Sequence, residues 1–253
     1  MSFTVVNVVE ETSMAVAGID GCRGGWFAIK GNTGNWSFQF ASEIANCFEN
    51  SVAKCIFIDI PIGLSSTGFN REVDAYARKE LSPHKTSSIF TPPVREALWA
   101  KDYTHALEAN RAITGKGISI QSWNISPKII EVEELLLSDL KLKNLTYEAH
   151  PEICFKYLNQ GEVIVASKKS PEGRRERYRL LERLDSTLVK VVDHAMKTTQ
   201  RKSVAQDDIL DAAVLALCAS YASGDSVHLV GNYCEIDEAG LPVRIGFGVP
   251  WRG

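Results

Sequence analysis

The sequence predicts a single α/β domain in which a mixed sheet of five strands is flanked by helices. Short apolar runs bounded by turn residues, which are typical of buried strands, fall in the first sixty residues and again near residue 147. Segments with helical periodicity separate and follow these runs, and this order favours a mixed sheet with helices on its faces. The chain has 253 residues, of which 45% are hydrophobic, and this is enough for one large core.

The strands are predicted from apolar runs that stop at turn residues. The second and third are joined as a hairpin by residues 31–34, and Pro61 and Gly63 end the fourth. Residues 1–13 are either a tail or an extra strand over Val5–Val9. The five predicted strands are Met14–Ile19, Trp26–Lys30, Trp36–Phe40, Cys55–Ile60 and Leu145–Ala149.

The helices are predicted from periodicity and from capping residues, such as Ser42 before the first of them. Residues 70–137 read as a helical insertion after the fourth strand, and Tyr233–Phe247 reads as a closing hairpin with its turn at Glu238–Gly240. The single domain is expected to span residues 14–253. The predicted helices are residues 42–49, Arg71–Leu81, Tyr103–Ile113, Ser126–Leu137, Arg174–Lys197 and Asp207–Ala222.

Composition excludes several classes of protein. A net charge of −3 argues against a generally basic protein that coats nucleic acid, although it allows a local basic patch. None of the six cysteines forms a C-x-x-C pair, so a zinc ribbon is unsupported. The N-terminus lacks the basic region of a signal peptide, and no apolar run approaches the ~20 residues of a membrane helix. We therefore expect a cytoplasmic protein that does not contact membranes.

Four aspartates lie at the ends of predicted core elements. Asp20 ends the first strand, Asp59 ends the fourth, and Asp208 and Asp211 open the last helix, where a spacing of three places them on one side. Carboxylates gathered in a cleft repel one another unless a cation neutralises them, and oxygen ligands favour Mg²⁺ or Mn²⁺. Two such ions can activate water and stabilise the leaving oxygen in phosphodiester cleavage.

Each aspartate also has an ordinary structural interpretation. Asp207, Asp208 and Asp211 in a first helical turn stabilise the helix dipole without any metal. Asp20 before a glycine-rich segment fits a turn residue. Apolar strands seldom carry a carboxylate without compensation, and this favours the metal site for the four residues taken together.

Seven motifs resemble those of a known family. They are spread over nearly the whole chain after Met14, and they are GIDGCRGGW (Gly18–Trp26), DIPIGL (Asp59–Leu64), REVDAYAR (Arg71–Arg78), SIFTPPVR (Ser88–Arg95), QSWNISPKIIEV (Gln121–Val132), YEAHPE (Tyr147–Glu152) and DDILDA (Asp207–Ala212). The chain resembles the ribonuclease H-like superfamily, and more closely the domain-of-unknown-function family 429, described as predicted nucleases of that fold.

The resemblance implies a ribonuclease H-like fold and a set of site residues. By analogy to Holliday-junction resolvases, Asp20, Asp59, Asp208 and Asp211 would be metal ligands and catalytic residues. The acid on the fourth strand of those enzymes is usually Glu, whereas this chain has the shorter Asp59. Glu148, on the following strand, is expected as a further ligand or a general base.

Basic and aromatic residues are candidates for substrate binding. Lys168 and Lys169 precede a helix and are the better phosphate contacts, whereas the arginines that follow them read as a solvated helix face. Trp123 either stacks on a base or anchors the insertion. Lys128, near Trp123, and Arg95 complete the candidate set. His150 is expected to be structural.

The leading hypothesis is therefore a metal-dependent hydrolase, a nuclease that cleaves DNA or RNA with Mg²⁺ or Mn²⁺. Two alternatives stay open. An ATP-dependent phosphotransferase of related fold would use the glycine-rich turn Gly21–Gly25 to hold phosphate. A catalytically degenerate module would bind nucleic acid or protein through the insertion. The sequence leaves the oligomeric state open, and a homodimer is one option.

Overall fold

A five-stranded mixed sheet organises the protein. The computed structural model describes residues 15–48, 53–68, 71–222 and 226–250. The strands stand in the order β3-β2-β1-β4-β5; β1 pairs with β2 and β2 with β3 antiparallel, while β1–β4 and β4–β5 are parallel. The predicted mixed sheet of five strands is confirmed. The strands are β1 (Val16–Cys22), β2 (Gly25–Asn32), β3 (Asn35–Ala41), β4 (Cys55–Asp59) and β5 (Thr146–Glu148).

Helices flank this sheet, and six of them lie between β4 and β5, where the insertion was predicted. The short helices were not predicted, because one or two turns leave little periodicity to detect. The helices are α1 (Glu72–Glu80), α2 (Arg95–Leu98), α3 (Tyr103–Thr114), α4 (Ile120–Asn124), α5 (Ser126–Ser138), α6 (Leu140–Leu145), α7 (Pro151–Leu158), α8 (Pro171–Leu184), α9 (Ser186–Thr198) and α10 (Gln206–Tyr221).

The prediction of one helix over Arg174–Lys197 was wrong, because the chain breaks at Asp185 between α8 and α9. Asp185 has extended backbone angles and caps α9, since its carboxylate accepts from the backbone N–H groups of Thr187 and Leu188. The same carboxylate accepts from the buried indole N–H of Trp36 at 2.7 Å. A long-range contact therefore adds to the local cap, and sequence periodicity does not register it.

The prediction of a helix capped by Ser42 was also wrong. Residues Ile44–Cys47 form a single 3-10 turn, and Glu43 precedes it without a side-chain cap. The backbone N–H of Ile44 instead donates to the carboxylate of Glu131 on α5. The insertion thus satisfies a donor that a capping residue would otherwise satisfy.

Helix α10 packs directly on the middle of the sheet. Gly18 in β1 makes this possible, since a Cβ there would lie 2.1 Å from the amide nitrogen of Ala216 and 2.4 Å from the carbonyl oxygen of Ala212. Any side chain at residue 18 would push the helix away. Most of α10 is buried, including its small residues Ala213 and Ala219, so the helix lies in the core rather than on its surface.

Four short strands follow α10. Strand β6 (His228–Leu229) pairs with β9 (Gly246–Phe247), and β7 (Glu235–Ile236) pairs antiparallel with β8 (Pro242–Val243). The predicted closing hairpin is confirmed for β7 and β8. The suggested strand at Val5–Val9 lies outside the described residues. Within the described ranges, no helix has the length and apolar character needed to span a membrane.

We expect Asp185→Ala to lower the free energy of unfolding by about 2–4 kcal/mol. The lost cap costs about 1 kcal/mol, and the buried Trp36 indole N–H left without its acceptor costs about 1–3 kcal/mol more. Urea denaturation measures the difference. Asp139→Ala is the matched control, because Asp139 caps α6 through the N–H of Leu142, and it should cost about 1 kcal/mol. Equal losses in both variants would contradict the role of Trp36.

The Asp185 carboxyl also makes stability depend on pH. Its burial raises the pKa, but hydrogen bonds from Thr187, Trp36 and Leu188 outweigh burial and leave the pKa below its usual value. The stabilisation is therefore complete above the unfolded-state pKa of about 3.9 and is lost as pH falls through the lower folded-state value. In urea titrations, the advantage of wild type over Asp185→Asn should vanish in that acid range. An advantage that persists there would refute the assignment.

Candidate metal centre

Three carboxylates from distant parts of the chain meet at one point. One oxygen each from Asp20, Asp59 and Asp211 can be chosen so that all three lie within 4.8 Å of one another. Asp20 belongs to β1, Asp59 to the end of β4 and Asp211 to the second turn of α10. Asp20 and Asp211 are almost fully buried, at 7% and 1% exposure. We call these residues the carboxylate triad.

The sheet and its covering helix bring the triad together. Asp20 and Asp59 are direct partners in the parallel pairing of β1 with β4, so their side chains leave the sheet next to each other on the same face. Asp211 is added because α10 lies against Gly18, two residues before Asp20, through Ala212. The position of each carboxylate is therefore fixed by backbone packing.

Asp208 has a different partner. Its carboxylate accepts a hydrogen bond from the backbone N–H of Ala205 at 2.8 Å and so closes the first turn of α10. Burial is the main cause that raises its pKa to about 6. The negative charge of Asp208 also raises the pKa of Asp20, so it contributes to the field at the triad. Its role as a ligand stays a prediction, and its observed contact is the helix-stabilising one.

Burial and crowding shift the titration of the triad. The pKa of Asp20 is raised well above its usual range, first by burial and then by the charges of Asp59 and Asp211. Burial likewise raises the pKa of Asp59 and of Asp211 to about 6, against the opposing effect of Lys168. These carboxyl groups are thus costly to hold ionised without a cation beside them.

One ammonium group partly compensates this charge. The Nζ atom of Lys168 lies 2.5 Å from Oδ2 of Asp211, and its side chain is 38% exposed. Burial lowers the pKa of Lys168, but the three triad carboxylates outweigh it and raise the pKa above its usual value, so the ammonium stays charged. With all carboxylates ionised, the triad and Lys168 together carry a net charge of −2.

The donor set fits a hard divalent cation. The triad offers oxygen ligands only, as Mg²⁺ and Mn²⁺ prefer, and no sulfur or imidazole ligand belongs to this cluster in the described chain. The residual charge of −2 equals in magnitude the charge of one such ion.

Glu148 is held elsewhere. Its carboxylate accepts from Nη2 of Arg71 at 2.5 Å and from the backbone N–H of Ile62 at 2.8 Å. Burial is the leading cause that raises its pKa to about 7. The structure does not bring Glu148 into the triad, and its role as a ligand or general base stays a prediction. His150 caps α7 and faces the carbonyl of Ser88, as its structural interpretation expects.

Of the five predicted substrate contacts, Lys168 reaches the triad, and Lys169 beside it is exposed. Arg95 instead makes ion pairs with Glu133 and Asp237, each at 2.7 Å, that tie α2 to α5 and to the C-terminal hairpin. These contacts give Arg95 a structural role.

The two other predicted contacts also serve the structure. The ammonium of Lys128 donates to the carbonyl of Gly25 and lies 4.4 Å from the ring centroid of Trp26. Trp123 packs against the apolar cluster of the insertion, as its anchoring interpretation expects. In the arginine-rich helix α8, Arg177 is fully buried and forms a bidentate pair with Glu152, so this residue does not belong to a solvated face.

Sequence reasoning missed Asp74. It is 3% exposed, and its Oδ1 atom lies 3.6 Å from Nη2 of Arg71 in an i,i+3 ion pair at the start of α1. The motif R-E-V-D carries that spacing, but the same spacing on a surface helix would make an ordinary exposed pair. Only the burial of both residues distinguishes the two cases.

Comparison with protein families gives one match. A family described as "Protein of unknown function (DUF429)" matches residues 18–234. The chain belongs to this family. The DUF429 region begins two residues before Asp20 and includes the whole triad, Lys168, Asp208 and Glu148. Comparisons with curated proteins and with solved structures gave no match.

We expect Mn²⁺ to raise the free energy of unfolding of the wild-type protein. An ion that binds only the folded state adds about 2.7 kcal/mol at one hundred times its Kd. Asp20→Asn removes one of the candidate ligands and should abolish most of this gain, while Asp102→Asn, which changes the exposed carboxylate that caps α3, should keep it. Thermal and urea unfolding with and without Mn²⁺ measure the effect. A gain that survives in Asp20→Asn would exclude the triad as the binding site.

Proposed function

We propose that this protein is a metal-dependent nuclease with a ribonuclease H-like fold. The observation that carries the proposal is the meeting of Asp20, Asp59 and Asp211, whose charge Lys168 only partly compensates. The fold assignment is supported by the placement of these acids on the first strand, the fourth strand and a late helix. The resemblance to the ribonuclease H-like superfamily implies that same placement.

The triad would hold one or two divalent ions. When bound, such ions lower the pKa of water and stabilise developing charge on phosphate oxygens. The carboxylates are positioned by strand pairing and helix packing before any ligand arrives, so little reorganisation is needed. The exposed part of Lys168 places a fixed positive charge beside the triad, where it can orient a phosphate group.

Nucleic acid is a better substrate class than ATP for this site. A phosphate-holding turn needs free backbone N–H groups. In the glycine-rich turn after β1, the N–H of Gly24 donates to the carbonyl of Ser203 at 2.9 Å. The Gly25 carbonyl receives the ammonium of Lys128. Backbone groups of this turn are thus occupied by contacts within the protein, and this favours the nuclease over the phosphotransferase.

We expect the protein to cleave at least one of three substrates in Mn²⁺: branched DNA, single-stranded DNA or an RNA–DNA hybrid. Asp20→Asn and Asp211→Asn should lower the cleavage rate by at least about 10²–10³-fold, the loss typical when a group that stabilises transition-state charge is removed. Asp102→Asn is the matched control and should cleave like wild type. Gel assays with labelled substrates measure the rates. No cleavage of any substrate, or equal cleavage by wild type and Asp20→Asn, would refute the proposal.

A further inference from the structure

A large cleft lies within the helical insertion, between α1 and the part that holds α3 and α4. Its volume is about 750 Å³, within the range of small-molecule pockets. Asp74 and Tyr76 from α1 line one part of it together with Arg71, which directly precedes that helix, and Phe90 from the segment before α2 lines another. None of these residues belongs to the carboxylate triad.

The cleft leads towards the triad. A recess of about 30 Å³ has Arg71, Asp74 and Phe90 in its wall, as the cleft does, and Asp59 is also part of that wall. The two spaces therefore share part of their walls, and Asp59 of the triad lies in the wall of the recess. A substrate with its phosphate at the triad can extend its neighbouring part into the cleft.

Two charged residues of this wall are incompletely satisfied. The Nε and Nη1 atoms of Arg71 and the Oδ2 atom of Asp74 are buried and have no hydrogen-bond partner among the described residues. The side chains of Arg71 and Asp74 are only 4% and 5% exposed. Native proteins seldom leave buried polar groups unpaired, so unpaired donors and an unpaired acceptor in a cleft wall point to a ligand that pairs with them.

The unpaired atoms decide the chemistry of that ligand. The lining of the cleft has a net charge of +1 when its charged groups are all ionised, and these are Arg71, Glu72, Asp74, Arg78 and Lys116. The unpaired Oδ2 atom of Asp74 needs a hydrogen-bond donor and repels an anion, so a phosphate group is disfavoured at this pair of residues. A neutral, planar group with an acceptor next to a donor fits both residues at once, because Arg71 donates and Asp74 accepts. Phe90 adds an aromatic face for stacking, which every nucleobase can use.

We propose that this cleft binds one unpaired nucleobase of the substrate, with Arg71 and Asp74 hydrogen-bonded to its edge and Phe90 stacked on its ring. The inference rests on the proposed nuclease function and adds a substrate class to it. A base inside a duplex presents its pairing edge to its partner, so it must be single-stranded or flipped out to enter such a pocket. The preferred substrate is thus an unpaired or junction-proximal nucleotide.

Binding of single nucleosides tests the pocket without any cleavage. Adenosine, guanosine, cytidine and uridine are titrated into the full chain in EDTA by calorimetry, and inorganic phosphate is titrated separately. We expect saturable binding of at least one nucleoside and none of phosphate. Phe90→Ala should weaken the preferred nucleoside about tenfold or more through lost stacking. Phe40→Ala, which removes an exposed phenylalanine of β3 that is not part of the cleft wall, is the matched control and should bind like wild type.

A second variant tests the hydrogen-bonding edge. Asp74→Asn keeps the size of the side chain but adds an amide donor and removes the charge, so it should change the order of preference among the four nucleosides. A thermal unfolding midpoint for each variant shows that it is folded. Saturable binding of no nucleoside by the wild type would overturn the inference. So would unchanged affinity and order of preference in both Phe90→Ala and Asp74→Asn, or saturable binding of phosphate alone.

The nuclease activity and the nucleobase pocket can be refuted independently. Asp211→Asn should lose cleavage and keep nucleoside affinity, because Asp211 is not part of the cleft wall. Cleavage without nucleoside binding would refute the base pocket but not the nuclease activity. Nucleoside binding without cleavage of any substrate would refute the nuclease activity, and with it the role of the pocket in cleavage.

Discussion

The contact between strand β1 and helix α10 at Gly18 is the constraint on which the candidate site depends. The helix backbone lies where a side chain of residue 18 would be, so strand and helix approach more closely than any side chain there would allow. This approach carries Asp211 to the end of β1, where Asp20 and Asp59 are already neighbours through strand pairing. A methyl group at residue 18 would separate the carboxylates without touching any of them.

The closeness of the triad has an energetic cost that the rest of the fold must offset. Burial and mutual repulsion both disfavour the ionised carboxylates, and Lys168 compensates only part of their charge. The apolar burial of α10 against the sheet supplies a favourable contribution that holds the groups in place. Stability and charge crowding are therefore opposed at this site, as is common where proteins preorganise reactive groups.

Much of this architecture was predictable from the sequence, and the misses have physical causes. The strands were found because buried strands read as apolar runs, and Asp20 and Asp59 stood out as acids at the ends of such runs. The break at Asp185 was missed because Trp36, far away in sequence, helps to hold it. Asp208 was chosen for its spacing from Asp211 and for the family resemblance, and Arg95 as a basic residue. Their observed partners are Ala205 for the first and Glu133 and Asp237 for the second. Burial, which separates Asp74 from a surface residue, is a property of the folded chain alone.

The separation of the triad along the chain has a consequence for biosynthesis. Asp20 and Asp59 are synthesised first, and Asp211 follows Asp59 about 150 residues later, which is roughly 8–30 s at ordinary rates of translation. Through most of that interval the nascent chain carries Asp20 and Asp59 without Lys168, and throughout it without the complete helix α10. The cluster can thus form only after residue 211 has been synthesised, and a chain interrupted before that residue lacks it altogether.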